Sequence, residues 1–322
     1  MARVKHCHIM PRDCPALGLR VDKVVQSMCG ALPRSQIVGL FESGCIHVNG
    51  CLCVFPGQRV MTGDQIQVHY DDSQRYRPKE RQRLRLGFDL VFEDRYLIVV
   101  QKPAELLTVP THREETDTLV SRVAKYVRET TGERQVFHAH RLDREVSGLL
   151  VLGKTEPLAK ALRDQFAANK PERLYQAIVA GRMVQEEGTF TSLLATDREL
   201  NRYSTDDQEI GQRAVTHYRV LRHLSDTTLV QVWLETGRRN QIRVHFAEAG
   251  HPVVGDPRYE PRLATRRNWP FRRIALHAKQ LGFLHPVTRK QLKFSSPLPA
   301  EMERFLMAEE EPVQDDSNAR RR

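Results

Sequence analysis

Residues 71–87, DDSQRYRPKERQRLRLG, limit what this chain can fold into more than any other stretch. Nearly every position is charged or polar. Such a segment cannot bury enough apolar surface to offset the entropy of ordering it, and it reads as a linker. The chain therefore holds two cores. A tail, 1–15, precedes a small unit at 16–70. Beyond the linker a large unit runs over 88–306, and 307–322 reads as a disordered tail. No internal repeat is visible.

The small unit predicts two helices and a hairpin. In LRVDKVVQSMCG, Leu19, Val24, Val25 and Met28 share helical spacing and Gly30 is a stop. PRSQIVGLFESG predicts a second helix, with Ser35 as N-cap, Ile37, Leu40 and Phe41 on one face, and Gly44 past its end. The next stretch, CIHVNGCLCVFPGQRVMTGDQIQVHY, alternates around Asn49-Gly50, a dipeptide suited to a tight hairpin turn.

The large unit interleaves strands and helices. LVFEDRYLIVVQKPA predicts two strands joined by an acidic turn, and TLVSRVAKYVRET an amphipathic helix. VFHAHRLD and SGLLVLGK predict strands, and EPLAKALRDQFAANK a helix capped by Thr155. RLYQAIVAGRM and TLVQVWLET predict further strands, and NQIRVHFAEAG a helix ended by Gly250. No repeated strand-helix-strand unit and no Gly-rich phosphate loop appears. The fold class is α+β, with a mixed, largely antiparallel sheet, flanking helices and the small N-terminal helix-helix-hairpin unit.

Charge bears on the partner. The net charge is +10, and arginine outnumbers lysine, which favours an anionic polymer because guanidinium forks match phosphate oxygens. No apolar run approaches a membrane span and MARVKHCHIMPRDC lacks the apolar stretch of an export signal, so a cytoplasmic location and no membrane partner are expected. All six cysteines, Cys7, Cys14, Cys29, Cys45, Cys51 and Cys53, precede residue 54. Their spacing fits neither a disulfide framework nor a zinc site, so reduced, partly buried thiols are expected. His138 and His140 share a strand face without a third ligand, so no metal site is expected there either.

The chemistry concentrates in AHRLDREVSGLLVLGKT, 139–155. Asp143 stands between Arg141 and Arg144, in front of an apolar run bounded by Gly148 and Gly153. Taken alone, this is either a buried ion pair or a carboxylate held ionised for a reaction. Four more blocks surround it in the chain: VVQKPAELLTVPTH (99–112), RLYQAIVAGRM (173–183), TGRRNQIRVHFAEAGHPVVGDPRY (236–259) and LHAKQLGFLHPVTRK (276–290).

In order and spacing these five blocks resemble the RluA-type pseudouridine synthases, which isomerise uridine within structured RNA. The likeness spans roughly 88–300. The N-terminal unit, with RVDK followed by SQIVGLFESGCIHVNG, resembles the alpha-L RNA-binding domain of a small-subunit ribosomal protein, which members of that family often carry. Arg20, Lys23, Arg34 and Gln36 would then line an RNA face.

The resemblance implies that Asp143 is the catalytic carboxylate, Arg243 its pairing partner and Tyr175 the active-site tyrosine, stacking on the base and relaying the C5 proton. Making pseudouridine breaks the N1–C1′ bond, turns the uracil and joins C5 to C1′. The sugar cation that develops needs a carboxylate, as in glycoside cleavage. One carboxylate suffices because the leaving uracil is the returning partner and water stays out. Whether Asp143 attacks C1′ or assists through the 2′ position is open. Arg141 and Arg144 would contact RNA, Arg141 filling the gap left by a flipped uridine. No cofactor is implied. The partner is RNA, ribosomal (large-subunit) before transfer RNA, and the protein is expected to be a monomer.

The chain departs from the family pattern at Glu105, where glycine is usual, at Val146, where threonine is, and at Asn240, where histidine is. A catalytically inactive RNA-binding assembly factor of the same fold is the main rival. A nucleoside hydrolase is another. A kinase, prompted by HRLDR, fails for want of its companion motifs.

Overall fold

The computed structural model describes residues 2–8, 19–30, 32–53, 55–71, 73–76, 86–131, 135–168 and 171–309. The stretch 9–18 with Cys14, the linker core 77–85 and the tail beyond 309 lie outside the described residues. Two compact units emerge, Met1–Arg173 with Ala278–Pro297, and Leu174–His277 with Leu298–Arg322.

In the first unit the N-terminal elements follow the expected order. Helices Val21–Met28 and Arg34–Glu42 precede the strands Ile46–Val48, Cys51–Leu52 and Gln65–Asp71. Asn49 and Gly50 take φ of 52° and 73°, both left-handed, as a two-residue hairpin turn requires. Val21, Val25, Ile37, Leu40, Phe41, Ile46 and Ile66 form a core of their own. Two expectations need correction. The second helix starts two residues earlier, with Pro33 and not Ser35 at the cap; the Pro33 carbonyl accepts from Gln36 and Ile37. Residues 2–8, assigned to a tail, form a strand that pairs antiparallel with Gln65–Asp71 along its whole length. The unpaired edge of Gln65–Asp71 supplies the partner for a stretch too short and basic to declare itself.

Behind this core, strands Asp89–Glu93, Leu97–Lys102 and Ser147–Gly153 pair antiparallel. Ser147–Gly153 is buried at every position, so it lacks alternation and reads as one apolar run. Its bounding glycines answer to close approach. A Cβ on Gly148, at φ 127°, would sit 2.4 Å from the Ala278 carbonyl oxygen, and one on Gly153 would sit 2.5 Å from the Ala159 nitrogen. Helix Glu156–Ala167 thus crosses the end of the strand at backbone contact. Leu52 and Phe55, from the N-terminal part, pack against the cluster of Val99, Leu149, Leu162 and Phe294. VFHAHRLD is mostly loop; only Phe137–His138 pairs as strand.

The second unit is an antiparallel sheet in the order Glu172–Ala180, Thr227–Leu234, Gln212–His223, Glu187–Thr196, Arg202–Thr205. Helix Gln241–Glu248 carries Gly250 two residues past its end, at φ 80°. The architecture is α+β with a largely antiparallel sheet, as expected. Among the described residues no helix is long and apolar enough to cross a membrane.

Candidate active site

Asp143 lies half-buried on a loop whose main chain is held from below. Lys102, fully buried at the end of its strand, donates through Nζ to the carbonyls of Leu106 (2.7 Å), Pro103 (2.9 Å) and Arg144 (3.2 Å). Thr108 Oγ1 donates to the Leu142 carbonyl at 2.8 Å and accepts from Leu142 N at 3.2 Å. Val146 N closes the turn onto the Asp143 carbonyl at 3.2 Å. The residues on both sides of Asp143 are therefore fixed through backbone atoms. A buried ammonium is stable here because carbonyl oxygens replace its water.

Glu105, standing where the resemblance leads one to expect glycine, has φ 67°, the conformation that glycine favours. Its carbonyl accepts from Arg144 Nε at 3.4 Å. Arg141 and Arg144 are both exposed. His140 stacks on Phe166 at 4.3 Å between ring centroids, and the Arg173 guanidinium lies over the Phe166 ring at 5.6 Å. Burial, with Arg173 and His138 adding repulsion, pushes the His140 imidazole down to about 3. It is neutral at physiological pH, and its Nε2 accepts from Val151 N at 3.3 Å.

In the second unit Tyr175 is 8% exposed, on the same strand face as the fully buried Ala177 and Val179. Arg243 sits in the first turn of Gln241–Glu248, a helix buried from Gln241 through Ala247. A helix with no solvent face must satisfy its polar side chains internally, and this one does. Gln241 accepts from Thr236 Oγ1 and Arg238 N and donates to Val215 O and Thr216 Oγ1, all at 2.9 Å. His245 bridges Thr216 (2.9 Å) and Ser192 (3.0 Å), and burial holds its imidazole below the usual range.

Arg243 forks onto Asp256, Nε to Oδ2 at 2.6 Å and Nη2 to Oδ1 at 2.8 Å. Asp256, with a fully buried side chain, also accepts from the main-chain nitrogens of Arg258 (2.9 Å) and Tyr259 (3.2 Å). The Tyr259 ring lies 5.2 Å from the guanidinium carbon, and Arg243 Nη1 reaches Asn240 Oδ1 at 3.4 Å. Asn240 caps the helix at φ 55°, a left-handed position that asparagine tolerates. Sequence reading quoted the GDPRY stretch but passed over Asp256. The available signal was an acid thirteen residues beyond the arginine, in the turn that follows its helix.

Of the N-terminal residues, Arg20, Lys23 and Arg34 are exposed and Gln36 half-buried. Arg20 is forked onto Asp22, both contacts at 3.0 Å, so RNA would compete with an acid already in place. Cys29, Cys45, Cys51 and Cys53 are free thiols. Burial raises Cys53 to about 12, which keeps it protonated and inert. No cluster of three metal-ligating side chains exists among the described residues.

Residues 96–248 match the RNA pseudouridylate synthase family. A ribosomal large subunit pseudouridine synthase D from Zymomonas mobilis is 33% identical over 296 residues, covering 89% of this chain and 92% of that protein. An uncharacterized RNA pseudouridine synthase of Bacillus subtilis is 33% identical over 288 residues, covering 88% and 91%. Among solved structures, human RNA pseudouridylate synthase domain containing 4 superposes with a TM-score of 0.58 at 22% identity, over 68% of this chain and 92% of that one, a likeness of fold. Five motif blocks in order and 33% identity to such a relative across nearly the whole chain have one reading: the chain belongs to the RNA pseudouridylate synthase family, whose members are isomerases.

Proposed function

We propose that this protein isomerises specific uridines of large-subunit ribosomal RNA, acting as a monomer. The observation that carries the reading is the identity, across nearly the whole of both chains, with relatives named for the large ribosomal subunit. In this mechanism the target nucleotide leaves its helix and Arg141 fills the gap. Asp143, kept ionised by Arg243, meets the positive charge that develops at C1′ as the N1–C1′ bond breaks, either by attack or through the 2′ position. The uracil turns, C5 bonds to C1′, and the C5 proton departs as N1 gains one, so nothing is added or lost. Tyr175 stacks on the base and relays that proton. The rearrangement is an isomerisation with no net redox change and needs no co-reactant. The N-terminal unit, with Arg20, Lys23, Arg34 and Gln36, and Arg144 on the active-site loop add RNA affinity.

The test is to map pseudouridines in a strain lacking the gene, complemented with wild type or Asp143→Asn. A large-subunit position should be lost, regained with wild type and not regained with the variant. The purified variant should bind RNA within about tenfold of wild type, or ~1.4 kcal/mol. A loss confined to transfer RNA would redirect the substrate assignment. Complete modification without the gene would favour an assembly factor.

A further inference from the structure

Leu200 caps the tight turn between strands Glu187–Thr196 and Arg202–Thr205. Asp197 braces the turn: its carboxylate accepts from Asn201 N at 2.7 Å and Asn201 Nδ2 at 3.1 Å. Leu200 itself adopts φ 65° and is 51% exposed. Its carbonyl receives two guanidinium groups from separate loops, Arg239 Nη2 at 2.5 Å and Arg258 Nη1 at 3.3 Å. A third, Arg202, reaches Thr196 Oγ1 at 2.7 Å and Gln212 Oε1 at 2.9 Å, and its Nε is buried with no hydrogen-bond partner. Arg238 donates Nε to the Arg213 carbonyl at 3.2 Å.

All these partners are neutral. Elsewhere in the same unit arginines find carboxylates: Arg219 with Glu187, Arg266 with Asp226, Arg213 with Glu235. Here the Asp197 carboxylate is hydrogen-bonded by Asn201 and feels the Arg258 charge without an ion pair, Glu199 stands exposed beside it, and burial together with Arg239 and Arg238 lowers the Arg202 pKa. Gathering like charges around one neutral oxygen costs free energy that a bound anion would offset. Each planar guanidinium has five N–H donors, so Arg239 and Arg258, each with one on Leu200, keep others for phosphate oxygens.

We propose that Arg202, Arg238, Arg239 and Arg258 form a docking point for the phosphate backbone of the RNA substrate, with the rigid 197–201 turn as its anchor. This rests on the RNA activity proposed above. An RNA strand fits better than a single anion because the cations come from two loops and the start of a strand, and exposed Leu200 lies among them, so several successive phosphates can be met.

The experiment measures binding of the full chain to a large-subunit RNA fragment that the wild type isomerises, across a salt series. Arg239→Ala/Arg258→Ala should weaken binding about tenfold and reduce the slope of log K against log salt by about 1 to 2. Arg239→Lys/Arg258→Lys should keep most of the slope. An unchanged slope in a folded alanine variant overturns the proposal, and so does a lower melting temperature with unchanged slope, the mark of a bracing role only. If the double variant fails to fold, single Arg239→Gln and Arg258→Gln variants carry the same test at about half the slope change. A wild type that isomerises no RNA would sink the activity itself, while the slope would remain readable on any duplex RNA.

Discussion

Arg141 and Arg243 are the same residue type in opposite circumstances, and the difference sets what each can do. Arg243 is 4% exposed and locked by Asp256, Asn240 and Tyr259. Arg141 is exposed on a loop whose backbone is fixed on either side. A locked cation suits a constant electrostatic task; an exposed one suits a partner that arrives with the substrate. Asp256→Asn should therefore be costly. It leaves a buried guanidinium without its counter-charge, a change worth about 3–5 kcal/mol in comparable sites. Thermal or denaturant unfolding would measure it, and a loss under 1 kcal/mol would mean the pair is relaxed by water. Arg141→Ala should leave stability unchanged. At saturating enzyme it should slow single-turnover isomerisation more on a uridine held in a stem than on one in an open loop, by roughly one to two decades, since unstacking is worth a few kcal/mol. Equal losses on the two RNAs would reduce Arg141 to a phosphate contact.

At the scale of elements, the Asp143 loop is positioned by groups that never touch a substrate in the proposed scheme. Lys102 reaches three carbonyls, one of them on the residue next to Asp143. Lys102→Met keeps the apolar stem and removes the donors, at about 1–3 kcal/mol of stability for carbonyls left unsatisfied. Because the loop is then free to shift, the rate at saturating RNA should fall at least about tenfold while the RNA dissociation constant stays within a few-fold. A fall in affinity with the rate intact would make Lys102 a binding residue instead. Little of this support was legible in the sequence. The Ser147–Gly153 strand and the Asn49-Gly50 hairpin announce themselves because apolar runs and turn dipeptides are local signals. Lys102, Gln241, His245 and Asp256 look like ordinary surface residues until the fold supplies their partners. The strands Glu187–Thr196 and Gln212–His223 escaped for a related reason: half-exposed along much of their length, they mix polar and apolar residues without a run to mark them. Glu105 is the converse case, since its departure from glycine was visible but the φ of 67° that gives it meaning was not.

Across the whole first unit, the charged linker suggests two bodies joined by a tether, yet the cores touch. Leu52 pairs with Phe294 in a single parallel bridge, Gln280 Nε2 donates to Cys51 Sγ at 2.7 Å, and Leu52 and Phe55 pack on the core that holds the Ser147–Gly153 strand. Removing residues 1–86 should still leave a folded catalytic domain, because the N-terminal core is built from its own helices and hairpin and withdraws none of the strands Leu97–Lys102 or Ser147–Gly153. The truncation also strips Leu52 and Phe55 from the cluster that contains Phe294, a loss of up to about 1.5–3 kcal/mol for each apolar side chain removed from the contact. A cooperative transition at lower temperature is therefore expected. If the N-terminal unit anchors RNA, the truncated protein should also show a flatter salt dependence of RNA binding than the full chain. The two readouts separate the roles of this unit. A lower transition with an unchanged salt slope would make it a structural buttress, and loss of any cooperative transition would mean the two cores fold as one.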